Sequence, residues 1–171
     1  LLIEGFYTRL TDVFVLGKPY DRGDGILVKT RSNGPGAKVM GLTLEGKVAY
    51  LSILQIQAGL TLQRSRYDEP HKWHDDAPAE KKIFRTPDTY GYFTATYTPI
   101  KPLSIALSGT YTGRMLVQRM DITAENAELG AMPERKAEAI RTPRFFDLGV
   151  KLAYDFKLYK TVDLQLNGGV Q

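Results

Sequence analysis

Met40-Gly-Leu-Thr-Leu-Glu-Gly-Lys-Val-Ala-Tyr50, followed after Leu51-Ser52-Ile53 by Leu54-Gln-Ile-Gln-Ala-Gly-Leu-Thr-Leu-Gln63, decides the fold class. Read by twos, the first run sets Met40, Leu42, Leu44, Gly46, Val48 and Tyr50 on one face and Gly41, Thr43, Glu45, Lys47 and Ala49 on the other. The second sets Leu54, Ile56, Ala58, Leu60 and Leu62 against Gln55, Gln57, Gly59, Thr61 and Gln63. Alternation with period two is the signature of extended strands with one apolar face. Each run is about 10 residues long, the length a tilted membrane-crossing strand needs. Soluble strands average nearer 5 or 6.

The same split recurs outward along the chain. Leu103, Ile105 and Leu107 oppose Ser104, Ala106, Ser108 and Thr110. Phe146, Leu148, Val150, Leu152, Tyr154 and Phe156 oppose Asp147, Gly149, Lys151, Ala153 and Asp155, and Val162, Leu164 and Leu166 oppose Asp163, Gln165 and Asn167. Two less sharply alternating strands complete the set, Leu1 to about Val15 and about Thr89 to Thr98, the latter with Phe93, Ala95 and Tyr97 as its apolar side. The expectation is seven antiparallel strands. Short turns at Leu51-Ser52, Pro99 to Pro102 and Lys157 to Lys160 alternate with longer polar loops at about Gly17 to Gly25, Asp68 to Thr86 and Val117 to Arg144. Short turns on one side and long loops on the other are the pattern of an outer-membrane β-barrel. Aromatic residues gather near both sets of strand ends: Tyr50, Tyr97, Tyr154, Phe156 and Tyr159 at the short turns, Tyr67, Tyr90, Tyr92, Tyr111 and Phe145 at the loops, as interfacial girdles would.

Composition agrees with a β-protein and removes several functions. The 171 residues include 10 Tyr, 7 Phe and 16 Gly, and no Cys, so disulfide scaffolds, thiolate zinc sites and cysteine nucleophiles are excluded. A net charge of +4 and a pI near 9.2 would ordinarily raise nucleic-acid binding. That reading needs a clustered basic stripe, whereas residues 64–88 carry 6 basic and 6 acidic side chains and residues 114–147 again carry 6 and 6. No nucleic-acid partner is expected. The longest uncharged stretch, Val48 to Gln63, has 16 residues, too short and too polar for a spanning helix.

A family resemblance rests on ordered motifs. Asn33-Gly-Pro-Gly-Ala-Lys-Val-Met-Gly-Leu-Thr-Leu-Glu-Gly46 resembles the segment by which TonB-dependent outer-membrane receptors re-enter the barrel after an extracellular loop, with Asn33, Ala37, Gly41 and Glu45 at the family spacing. Pro35 stands where the first glycine falls, and Thr43 where the first acidic residue often sits. Leu60-Thr-Leu-Gln-Arg-Ser-Arg-Tyr67, an acidic loop, Phe84-Arg-Thr-Pro-Asp-Thr-Tyr-Gly91, Leu107-Ser-Gly-Thr-Tyr-Thr-Gly113, Phe145-Phe-Asp-Leu-Gly149 and Leu164-Gln-Leu-Asn-Gly-Gly-Val-Gln171 continue it over essentially all 171 residues, most like Bacteroides-type receptors. The resemblance implies that residues 1–171 are a carboxyl-terminal portion of a 22-stranded transmembrane barrel, with the plug domain and the final strand outside it. It further implies a Gram-negative outer-membrane location and surrounding lipid. The TonB complex would act through the absent amino-terminal plug, and the cargo would be a scarce nutrient complex: ferric siderophore, haem, corrinoid or glycan.

No catalytic constellation is present, so no enzyme activity and no cofactor are expected. His71 and His74 flank Lys72-Trp73 and precede Asp75-Asp76, a composition that surface loops carry without binding metal, and no metal site is expected. For ligand binding the candidates are Arg64, Arg66, Tyr67, Trp73 and Arg85, in or beside the Asp68 to Thr86 loop, whose guanidinium forks and rings suit carboxylate or catecholate groups. The simpler account of the same residues is rim anchoring and pairing with the loop's own acids. Glu45, Lys47, Lys151 and Asp155 are the expected lumen-facing charges. A short helix is expected from Pro133 to Ile140. Two other readings stay open: a complete small outer-membrane barrel acting as anchor or adhesin, and a soluble carbohydrate-binding β-sandwich.

Overall fold

In the computed structural model, which describes residues 1–74, 77–122 and 135–171, one antiparallel sheet dominates. Its strands are β1 (Leu2–Leu10), β4 (Ala37–Tyr50), β5 (Leu54–His71), β7 (Thr89–Ile100), β8 (Leu103–Thr112), β11 (Phe145–Tyr159) and β12 (Val162–Val170), hydrogen-bonded in that order. These are the seven expected strands, in a meander. A three-residue strand, β6 (Glu80–Lys82), pairs with the extension of β5.

Register fixes the faces. Ile3 lies opposite Leu44, Leu44 opposite Leu60, Ile56 opposite Ala95, Ala95 opposite Leu107, and Leu107 opposite Val150. Residues directly opposite in an antiparallel pair share a face. The apolar positions of six strands thus merge into one continuous surface, and Ile3, Gly5 and Tyr7 of β1 join it. Alternation in β1 is weak because Leu2 and Phe6 stand on the polar side, opposite Glu45 and Gly41.

The three expected loops hold more structure than their polarity suggested. The first strand stops at Leu10 rather than near Val15, and Asp12 takes a positive φ of 55°, a conformation that Asp tolerates better than bulkier residues. Between β1 and β4 stands a separate hairpin of β2 (Phe14–Asp21) and β3 (Leu27–Asn33). Between β8 and β11 stands another, of β9 (Leu116–Ile122) and β10 (Arg135–Arg141). The short helix expected up to Ile140 is therefore not formed: residues 135–141 are strand, with Ala137 opposite Met120, and Pro133 lies outside the described residues. Helix propensity of the Arg-Lys-Ala-Glu-Ala run is worth only tenths of a kcal/mol per residue, less than a full set of cross-strand partners.

No core lies on either face. Among the described residues the buried apolar side chains are Ala37, Ala77, Leu116 and Ala137, and no large side chain is fully buried. The chain exposes 12932 Å²; a compact monomer of 19.2 kDa would expose about 8400 Å². Leu60, Leu62, Leu152 and Leu166 are 40% to 55% exposed in a regular sheet. Such a surface requires a cover that the described residues do not supply.

Candidate functional site

The polar face is a wall of paired side chains. Gln57 donates from Nε2 to Glu45 Oε1 at 2.7 Å and to the Tyr92 hydroxyl at 3.0 Å, tying β4, β5 and β7 together. Thr43 and Thr61 share a hydroxyl hydrogen bond of 3.1 Å, and Gln63 donates to the Pro87 carbonyl at 2.9 Å. Across the far strands Gln165 donates to Asp155 at 2.8 Å and Gln171 to Asp147 at 2.6 Å. Register puts Lys47 opposite Gln57, and Lys151 opposite Ala106, both on this face together with Glu45 and Asp155. The alternation alone sets the four charges on this face but not the amide partners of Glu45 and Asp155, because Gln57 and Gln165 look like ordinary polar positions until the strands are in register.

Glycine shapes the wall at Gly59. A Cβ there would come 2.6 Å from the Tyr92 ring, so the ring occupies the space over bare backbone and its hydroxyl reaches Gln57.

At the loop end the ligand-binding candidates separate into groups. The register from Leu62 opposite Leu42, through Arg64 opposite Met40, to Arg66 opposite Lys38 is unbroken. Arg64 and Arg66 therefore continue the apolar face beyond its last leucine, rather than the polar wall. Tyr67 has the opposite parity, sits across from buried Ala37 and leans on His71 with ring centroids 5.8 Å apart. Arg64, Arg66 and Tyr67 do share a cleft of about 260 Å³ with Lys38, Met40, Asp68 and Lys81. Lys38 Nζ lies 2.7 Å from Asp68 Oδ1, and that hydrogen bond holds the Asp68 carboxyl below its usual value, with Arg9 and Lys81 adding to the effect.

Trp73 and Arg85 stand elsewhere. Trp73 meets Phe84 edge-on at 6.4 Å and His74 at 5.9 Å, with its indole nitrogen buried and without a hydrogen-bond partner among the described residues. Arg85 takes a positive φ of 58° and its backbone N–H donates to the Leu116 carbonyl at 2.7 Å, which pins the loop to the β9–β10 hairpin. Close by, Gln63, Ser65, Lys82, Asp88 and Arg141 line a cavity of about 290 Å³ together with Arg64 and Arg66. Ser65 is 2% exposed and its hydroxyl has no hydrogen-bond partner among the described residues. Lys82 and Asp88 form an ion pair across the cavity edge. Among the described residues no group of three His, Asp or Glu gathers as metal ligands; Asp75 and Asp76 lie outside them.

Aromatic side chains sort by face as well as by height. On the apolar face Tyr50, Tyr97 and Tyr154 stand near the short turns, and Tyr7, Tyr111 and Phe146 near the loops. Tyr90, Tyr92 and Phe145 belong to the polar side, opposite Thr112, Thr110 and Thr112 respectively, so of the expected loop-end aromatics Tyr111 stands on the apolar face, where Tyr7 and Phe146 join it.

With this geometry in place, the chain can be set beside known proteins. No family model and no curated relative matches the sequence. Among solved structures it is similar to the ferric-catecholate import receptor Fiu of E. coli K12 in its closed form, with a TM-score of 0.58 at 18% identity. The match covers 96% of this chain and 20% of that receptor, so the chain spans a fifth of the length of the protein it resembles. At that identity the likeness is one of fold. It sets the meander beside a stretch of a much longer receptor chain.

Proposed function

We propose that the chain is a section of the transmembrane barrel of a TonB-dependent outer-membrane receptor, residues 1–171 being its carboxyl-terminal portion. The observation that carries this is a single-layered sheet whose exposed apolar face is continuous over seven strands while its other face is a hydrogen-bonded polar wall. Lipid covers such an apolar face without cost, and a water-filled lumen suits the wall. A sandwich would supply a second layer, and a complete small barrel would join its first strand to its last; here β1 and β12 each have one neighbour. The fold likeness to a catecholate import receptor and the ordered motifs supply the rest of the reading: uptake of a scarce nutrient complex such as a ferric siderophore, driven by the TonB complex through an amino-terminal plug.

The test uses the full-length gene product. It should fractionate with the Gram-negative outer membrane, and its deletion should abolish growth on its cargo when a ferric catecholate, haem, a corrinoid or a glycan is supplied as the sole source. Growth should return with the intact gene but not with one lacking the plug. Recovery in the soluble fraction would sink the proposal, as would growth unaffected on all four cargoes.

A further inference from the structure

The apolar face ends in a cationic cleft. From Met40 to Tyr50 the lipid-side band measures about 33 Å along the strand, which at a tilt near 40° is about 25 Å of membrane thickness. That matches the apolar band of an outer-membrane barrel. The next residues of the same parity are Lys38 on β4 and, on β5 beyond Leu62, Arg64 and Arg66, with Arg9 opposite Lys38 on β1. Arg64 lies level with Met40, at the rim of that band, and Arg66 level with Lys38, about 7 Å further along the strand and so roughly 5 Å higher, in the headgroup region. Lys38, Arg64, Arg66 and Lys81 line the 260 Å³ cleft with one carboxylate, Asp68, and both arginines are exposed. Among the described residues Arg64 and Arg66 have no ion pair; Lys38 alone is engaged, by Asp68.

We infer that this cleft binds the phosphorylated headgroup of an outer-leaflet lipid, whose acyl chains lie over Leu42, Leu62 and Met40. The inference rests on the membrane-barrel reading above. What selects a lipid over a free anion is continuity: the cations begin where the apolar surface stops, on the same face and in the same register, so an amphiphile satisfies both at once. Guanidinium forks at Arg64 and Arg66 suit bidentate phosphate contacts.

The experiment takes the full-length receptor purified in detergent and titrates it with lipid A carrying two phosphates, with dephosphorylated lipid A, and with inorganic phosphate. Wild type should retain the phosphorylated lipid at least tenfold more tightly than the dephosphorylated one, and a Lys38→Gln, Arg64→Gln, Arg66→Gln variant should lose that preference. Should the triple variant fail to assemble, Asp68→Asn serves instead: removing the one carboxylate should tighten phosphorylated lipid severalfold. Equal retention of both lipids by a correctly inserted wild-type receptor would overturn the inference and leave the barrel reading intact. So would inorganic phosphate displacing the lipid at matched concentration, which would make the cleft a free-anion site. A receptor that never enters the membrane fails the barrel reading itself.

Discussion

Tyr92 and Gly59 show how little one residue can be changed on the polar wall. The tyrosine ring occupies the space a side chain at 59 would need, and its hydroxyl completes the Glu45–Gln57 pairing. Gly59→Val should push the ring off, break the Gln57 contact and destabilise the assembled barrel by about 1–3 kcal/mol, the usual cost of overpacking. Heat-modifiability of the full receptor on gels would measure this. Adding Tyr92→Ser should restore part of the loss, since the two changes share one site; an additive double variant would show that the ring is not the cause. The residue scale is also where sequence reading divided. Glu45, Lys47, Lys151 and Asp155 could be placed on the polar face by counting in twos from their leucine neighbours, and counting on from Leu60 and Leu62 would have put Arg64 and Arg66 on the apolar side. Their place beside a polar loop is what makes them ligand candidates in the sequence. The partners of Gln57 and the surroundings of Ser65 and Arg141 were not legible, because they come from far along the chain.

Among the elements, β7 offers the clearest test of which side faces lipid. Ala95 lies between Ile56 and Leu107, whereas Thr94 lies between Gln57 and Ser108. Ala95→Lys should cost about 2–4 kcal/mol at the membrane midplane and lower the yield of assembled barrel. Thr94→Lys, one residue away, should leave assembly near wild type. Equal effects in outer-membrane fractions would refute the assignment of faces. The strands themselves were readable because an apolar face and a polar face alternate strictly over 10 or more residues. The hairpins β2–β3 and β9–β10 were not, since neither of their faces need be uniformly apolar. In residues 135–141 the local composition favoured a helix, and only the pairing with β9 over seven residues reveals the strand.

For the molecule as a whole, surface area outweighs any single contact. The excess over a compact monomer is about 4500 Å² by the scaling of area with mass, and one face of the sheet carries most of the exposed leucines, isoleucines and valines. Expressed alone, the 171 residues should sediment as aggregate in buffer and disperse only in detergent, and analytical ultracentrifugation in both media would show it. A sharp monomer boundary without detergent would mean that the apolar face is covered by the chain itself. The two loop-end hairpins satisfy their ladders internally and are closed at the base by Gly34 N–H to the Val13 carbonyl and Thr142 N–H to the Met115 carbonyl, while β9–β10 is also tied to the β5–β7 loop by Arg85 N–H to the Leu116 carbonyl. Register across the sheet is set by β1 on β4 and β8 on β11, whatever lies between them. The β2–β3 hairpin can therefore lengthen, shorten or be replaced by a graft from another protein while the strands beneath keep their alignment, whereas a change in β9–β10 has to preserve the carbonyl that Arg85 grips, so the two ends of the sheet are free to diversify at different rates.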